Sequence, residues 1–128
     1  MTARQTTRPT AAELDILSVL WEHGPSTVRE VQEALPEDRQ RGYTTILKLL
    51  QIMHEKGLAT RRKIGKAHTY RARVTKRQAQ KRVTGEILDS LFGGSAGRLA
   101  VHALSERKAS PEELEEIRKL LDELEDER

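Results

Sequence analysis

A mainly α-helical chain with one small β-hairpin near its middle is what the sequence predicts, and three observations predict it. Capping residues recur ahead of apolar stripes of helical period. The period drops from 3.6 towards 2 between Leu58 and Val74, and apolar residues return at heptad-like steps near the C-terminus. With 128 residues there is room for one ordinary domain, or for a small domain with an appended element. Only 36% of residues are hydrophobic and the aromatics are four, Trp21, Tyr43, Tyr70 and Phe92. That is a thin core for a monomer of this length, and pairing with a second chain would help.

Residues 1–9 are polar, lack apolar periodicity and read as a flexible tail. Thr10 and Glu13 then form a capping box, Leu14, Leu17, Leu20 and Trp21 follow at helical spacing, and His23-Gly24-Pro25 ends the first helix. Thr27 and Glu30 repeat the box, with Val28, Val31, Ala34 and Leu35 as the stripe and Pro36 as the stop. A polar link leads to a third helix from Tyr43 to Lys56, closed by Gly57. On a wheel, Ile46, Leu49, Leu50 and Met53 fall on one side, with Thr44, Lys48, Gln51 and Glu55 opposite. This helix has one face to bury and one to present.

Two strands, residues 58–64 and 68–74, are expected about a Gly65-Lys66-Ala67 turn, and their side chains are mainly basic: Arg61, Arg62, Lys63, Lys66, Arg71 and Arg73. Three helices followed by a basic hairpin is the order of a winged helix-turn-helix. A third box, Thr75 with Gln78, opens a fourth helix bearing Val83, Ile87, Leu88, Leu91 and Phe92, which Gly93-Gly94 interrupts. A short helix over about 95–107 precedes Ser110-Pro-Glu-Glu113, which caps the last one. There Leu114, Ile117, Leu121 and Leu124 recur at steps of 3, 4 and 3, the rhythm of a coiled-coil seam. An amphipathic helix with nothing of its own to pack on points to self-association, the alternative being a seam folded back on its own domain. The organisation read is a tail at 1–9, a winged helix-turn-helix at 10–74 and a helical dimerisation region at 75–128, whose seam residues are Leu88, Leu91, Leu99, Leu114, Ile117, Leu121 and Leu124.

The net charge of +3 conceals a segregation. Residues 1–85 hold 17 Lys/Arg against 8 Asp/Glu, a net +9, whereas residues 86–128 hold 6 against 12, a net −6. The front is suited to a polyanion. The absence of cysteine excludes disulfides, thiolate metal sites and a catalytic thiol, and fits a reducing cytoplasm. No apolar run approaches the roughly 20 residues that span a bilayer, and Met1 to Pro9 lacks a secretory apolar stretch. A cytoplasmic protein, with no membrane association, is expected. His23, His54, His68 and His102 sit in four different elements without metal-ligand spacing, and no phosphate loop or nucleophile motif is present. Neither a catalytic residue, a metal nor a cofactor is expected.

The partner read from this arrangement is double-stranded DNA. The start of the second motif helix meets base edges in the major groove, which calls for short or flexible polar side chains. Thr44, Thr45 and Lys48 meet that requirement. Thr27 and Arg29 stand where a helix N-terminus holds a phosphate. With Arg41, Tyr43, Arg62, Lys63, Lys66 and Arg71 they form the expected backbone and wing contacts, which position the protein without specifying a sequence. A winged-helix adaptor binding another protein and a sequence-independent DNA binder are the rival readings.

Several stretches carry a resemblance: Glu13-Leu-Asp-Ile-Leu-Ser-Val-Leu-Trp21, Gly24-Pro-Ser-Thr-Val-Arg-Glu-Val31, Tyr43-Thr-Thr-Ile46, Lys56-Gly-Leu58 and Leu91-Phe-Gly-Gly-Ser95. In order and spacing, over residues 10–124, the chain resembles the penicillinase-repressor (BlaI/MecI/CopY) group of bacterial transcription regulators. The resemblance implies a homodimeric repressor on a pseudo-palindromic operator, with Thr44, Thr45 and Lys48 at recognition-helix positions and Gly65-Lys66-Ala67 at the wing tip. Some members of the family are inactivated by a regulatory protease at an Asn-Phe bond after the Gly-Gly hinge; here His102-Ala103 stand at the aligned pair and that site is absent. The copper-responsive branch uses a cysteine-rich tail, which this chain lacks.

Overall fold

The computed structural model describes residues 8–127. Its elements run α1 (Ala11–His23), α2 (Val28–Ala34), a 3-10 turn (Glu37–Arg39), α3 (Tyr43–Lys56), β1 (Ala59–Ile64), β2 (Ala67–Ala72), α4 (Lys76–Leu91), α5 (Ala96–Glu106) and α6 (Pro111–Asp126). The first seven residues of the expected tail lie outside the described residues, while Pro9, assigned to that tail, is buried. The chain divides into two units, Met1–Thr84 and Gly85–Arg128, a division that falls inside α4. Ala79, on the first half of α4, is buried.

In the first unit the three helices share one core. α1 contributes Ile16, Leu17, Val19 and Leu20, α2 contributes Val28 and Val31, and α3 contributes Ile46, Leu50 and Met53. Leu14 and Trp21, expected on the inward stripe of α1, are only partly buried and flank this core. The indole N–H of Trp21 reaches the carbonyl of Val74 at 2.9 Å, so the ring ties the end of the hairpin to α1 instead of filling the centre. Capping is reciprocal, as expected, at Thr10/Glu13, Thr27/Glu30 and Thr75/Gln78, and also at Ser110/Glu113. Gly57 ends α3 with φ 82° and ψ 14°, a left-handed turn that favours glycine.

The hairpin pairs Ala59 with Ala72 through Ile64 with Ala67 in antiparallel register. Ala67, expected in the turn, is therefore in the ladder, and the loop is the two residues Gly65 and Lys66. Gly65 has φ 64° and no other residue type has positive φ among the described residues, which is the II′ pattern that suits the right-handed twist of a hairpin. Leu58 and Val74, expected within the strands, lie just outside them and are buried. Ser26 adds an isolated bridge to Tyr70, with N···O distances of 2.9 and 2.8 Å. That bridge carries Tyr70 into the core at 2% exposure, a burial that the mainly basic strand did not announce. Helices, hairpin and bridge make a winged helix-turn-helix.

The second unit has helices without a core. Neither α5 nor α6 holds a buried residue, and Leu91, Val101, Leu104, Leu120, Leu121 and Leu124 are exposed large hydrophobics. Leu91 is 74% exposed. Phe92 is half-buried beside His102, their ring centroids 5.5 Å apart.

Candidate nucleic-acid interface

The start of α3 is locally open. Gly42 leads into the helix in extended conformation, and no side chain caps it. Every other α-helix has a side chain on its first amides, from Thr10, Thr27, Thr75, Ser95 or Ser110. The first N–H groups of α3 are thus left with the partial positive charge of a helix N-terminus and no internal acceptor. Thr44, Thr45 and Lys48 are exposed on these first turns, while Ile46 and Leu50 on the other side are fully buried and fix the helix rotation.

Beside α3 a groove of about 490 Å³ opens between the start of α2, α3 and the wing. It gathers four of the expected backbone residues, Thr27 and Arg29 from α2, Tyr43 from α3 and Lys66 from the wing tip. It does not gather Thr44, Thr45, Lys48, Arg41, Arg62, Lys63 or Arg71. Three of its walls were not singled out from the sequence as contact residues: Arg61, His68 and Gln51.

Strand register places Arg61 and His68 on one face of the wing and Arg62 and Arg71 on the other. Arg61 lies opposite Tyr70 and Lys63 opposite His68, on the face that carries Tyr70 into the core. Arg62 lies opposite Thr69 and Arg71 opposite Thr60, on the other face, where the Arg71 Nε–H donates to the Thr60 hydroxyl at 3.3 Å. With period-2 alternation and a two-residue loop, burial of Tyr70 alone was enough to place Arg61 and His68 on the groove side. Tyr70 was the missing signal.

The cations of this unit fall into two sets. Lys56 Nζ lies 2.8 and 2.9 Å from the carboxylate oxygens of Glu13, a residue only 1% exposed whose Oε1 also accepts from the Thr10 N–H at 2.8 Å. Arg39 Nη1 lies 2.6 Å from Asp15 Oδ1, and Arg41 Nη1 lies 3.5 Å from Asp15 Oδ2 and 3.1 Å from the Arg39 carbonyl. Arg41, expected at the DNA backbone, is thus engaged within its own chain. By contrast Arg29, Lys48, Arg61, Arg62, Lys63 and Lys66 have no ion-pair partner among the described residues. No carboxylate lines the groove. Paired cations hold the fold together, and unpaired ones leave a field directed at solvent.

A family model, the penicillinase repressor, matches residues 9–123. The chain belongs to the penicillinase-repressor family of transcription regulators. Among its relatives, the transcriptional regulator BlaI of Mycobacterium tuberculosis is 33% identical over 118 residues, covering 88% of this chain and 82% of the relative. The penicillinase repressor of Bacillus licheniformis is 23% identical over 88% of each chain. The methicillin resistance regulatory protein MecI of Staphylococcus aureus is 20% identical over 87% of this chain and 90% of its own. His102 and Ala103 lie inside α5, and the chain contains no asparagine. No three His, Asp or Glu side chains converge as a metal site among the described residues, and no described helix is long and apolar enough to cross a membrane.

Proposed function

We propose that this chain is a homodimeric, sequence-specific DNA-binding repressor that works in the cytoplasm without a cofactor, on a pseudo-palindromic operator. The observation that carries the reading is the open N-terminus of α3, flanked by a groove whose cations have no partners of their own. Thr44, Thr45 and Lys48 read base edges: the threonines offer a hydroxyl and a methyl group, and the lysine donates to guanine O6 and N7. Thr27, Arg29, Tyr43 and Lys66, joined by Arg61 and His68, hold the backbone in the groove, with Lys63, Arg62 and Arg71 as the further cations of the wing. The exposed seam of α6, with Leu88, Leu91 and Leu99, joins two protomers, and the two-fold axis then sets two related half-sites an integral number of helical turns apart.

Selection of bound duplexes from a random library, at about physiological salt, tests this directly. A two-fold symmetric motif is the expected result. A steep salt dependence without any preferred motif would replace it with sequence-independent binding, and no enrichment by folded protein would replace it with a protein-interaction adaptor.

A further inference from the structure

Among the described residues, the helix proposed to read DNA is the one α-helix whose start no side chain caps; its buried residues fix its rotation, and its two ends are held from α1. Two carboxylates in the first turns of α1 grip its two ends. Glu13 holds Lys56, the last residue of α3, at 2.8 and 2.9 Å. Asp15 holds the segment just before α3, through Arg39 at 2.6 Å and Arg41 at 3.5 Å. The Asp15 side chain is 14% exposed, so solvent screens this fork less than it would a surface pair. Backbone and amide bonds brace the same segment: Gln32 Nε2 donates to the Arg41 carbonyl at 3.3 Å, and Gln40 Nε2 to the Leu35 carbonyl at 2.6 Å.

We infer that Asp15, through its fork to Arg39 and Arg41, is a positioning residue for sequence discrimination, standing in for the cap that α3 lacks. A capping side chain at Gly42 would occupy the amides that a phosphate needs. Gripping the preceding turn from α1 holds the helix start in place and leaves those amides open. Base reading depends on side-chain placement to within fractions of an ångström, whereas charge attraction to the backbone does not. Loss of the fork therefore reduces discrimination and spares general DNA affinity. This inference rests on the DNA-reading role proposed above.

Asp15→Asn keeps the shape and removes the charge. The full-length variant is compared with the parent for binding to the selected duplex and to a scrambled one, alongside amide hydrogen exchange without DNA. The expected result is a drop of roughly three- to tenfold in the ratio of cognate to scrambled affinity, with scrambled binding unchanged or stronger. Faster exchange at Ile46 to Lys48, the first amides of α3 with helical acceptors, accompanies it with an unchanged melting midpoint. Arg39→Gln gives the same pattern, and combining the two adds less than the sum. An equal rise on both duplexes would overturn the proposal, because Asp15 would then merely sequester Arg39 and Arg41 from phosphate. So would an unchanged ratio. Failure of the parent to prefer any duplex defeats the repressor reading, while the exchange result without DNA still decides whether Asp15 orders the start of α3.

Discussion

The two units of this chain solve the problem of burial in opposite ways. The first brings residues from three helices and both strands into one core, in which Ile16, Leu17, Val31, Ile46, Leu50 and Met53 have no exposed surface. The second forms α5 and α6 with sound caps and no buried residue, leaving leucines in water. A cap contributes on the order of 1 kcal/mol and orders a helix end, but helices of this length gain most of their stability from packing. The first unit covers its own apolar residues; the second leaves its own exposed.

The largest test of that contrast is to place charge in the seam. Ile117→Asp together with Leu121→Asp is expected to convert a dimer to a monomer by sedimentation and to lower the helical content contributed by α5 and α6, while the winged unit still melts cooperatively. Persistence of the dimer would move the interface towards α4 and α5. Next in size is a cavity in the first unit. Leu50→Ala is expected to cost about 2 to 5 kcal/mol in denaturant unfolding, with no change in the association constant measured below the melting range. A parallel loss of association would show that the units are not independent.

Smaller effects separate the two kinds of lysine in the interface. Lys48→Ala is expected to cost about 1 to 3 kcal/mol on the selected duplex and far less on random DNA. Lys66→Ala is expected to weaken both alike and to lower the slope of log K against log salt by about 0.9. Neither side chain packs in the core, so neither change should move the melting midpoint. Equal losses for Lys48→Ala on both duplexes would make it a backbone contact.

Local signals in the chain were sufficient for the helices. Each cap at Thr10, Thr27, Thr75 and Ser110 lies where the capping residues and the acid or amide three places on require it, and α3 runs from Tyr43 to Lys56 as its stripe and Gly57 indicate. These are interactions within four residues, so the sequence alone contains both partners. The hairpin is legible in kind, but the sequence predicts a turn one residue too long, because only pairing to Ile64 draws Ala67 into the ladder.

What the sequence determined by itself was therefore the order of elements, the buried side of α3, the basic wing and the apolar seam, all consequences of period and local chemistry. Tertiary structure alone decided which cations face the groove and which are spent inside the fold. Burial of Tyr70 turns Arg61 and His68 towards α3, a partner 24 residues away along the chain takes up Arg39, and Glu13 reaches 43 residues to Lys56. The physical reason is that a charge carries no mark of its destination: whether Arg41 meets a phosphate or a carboxylate depends on where distant helices bring Asp15, and only packing settles that.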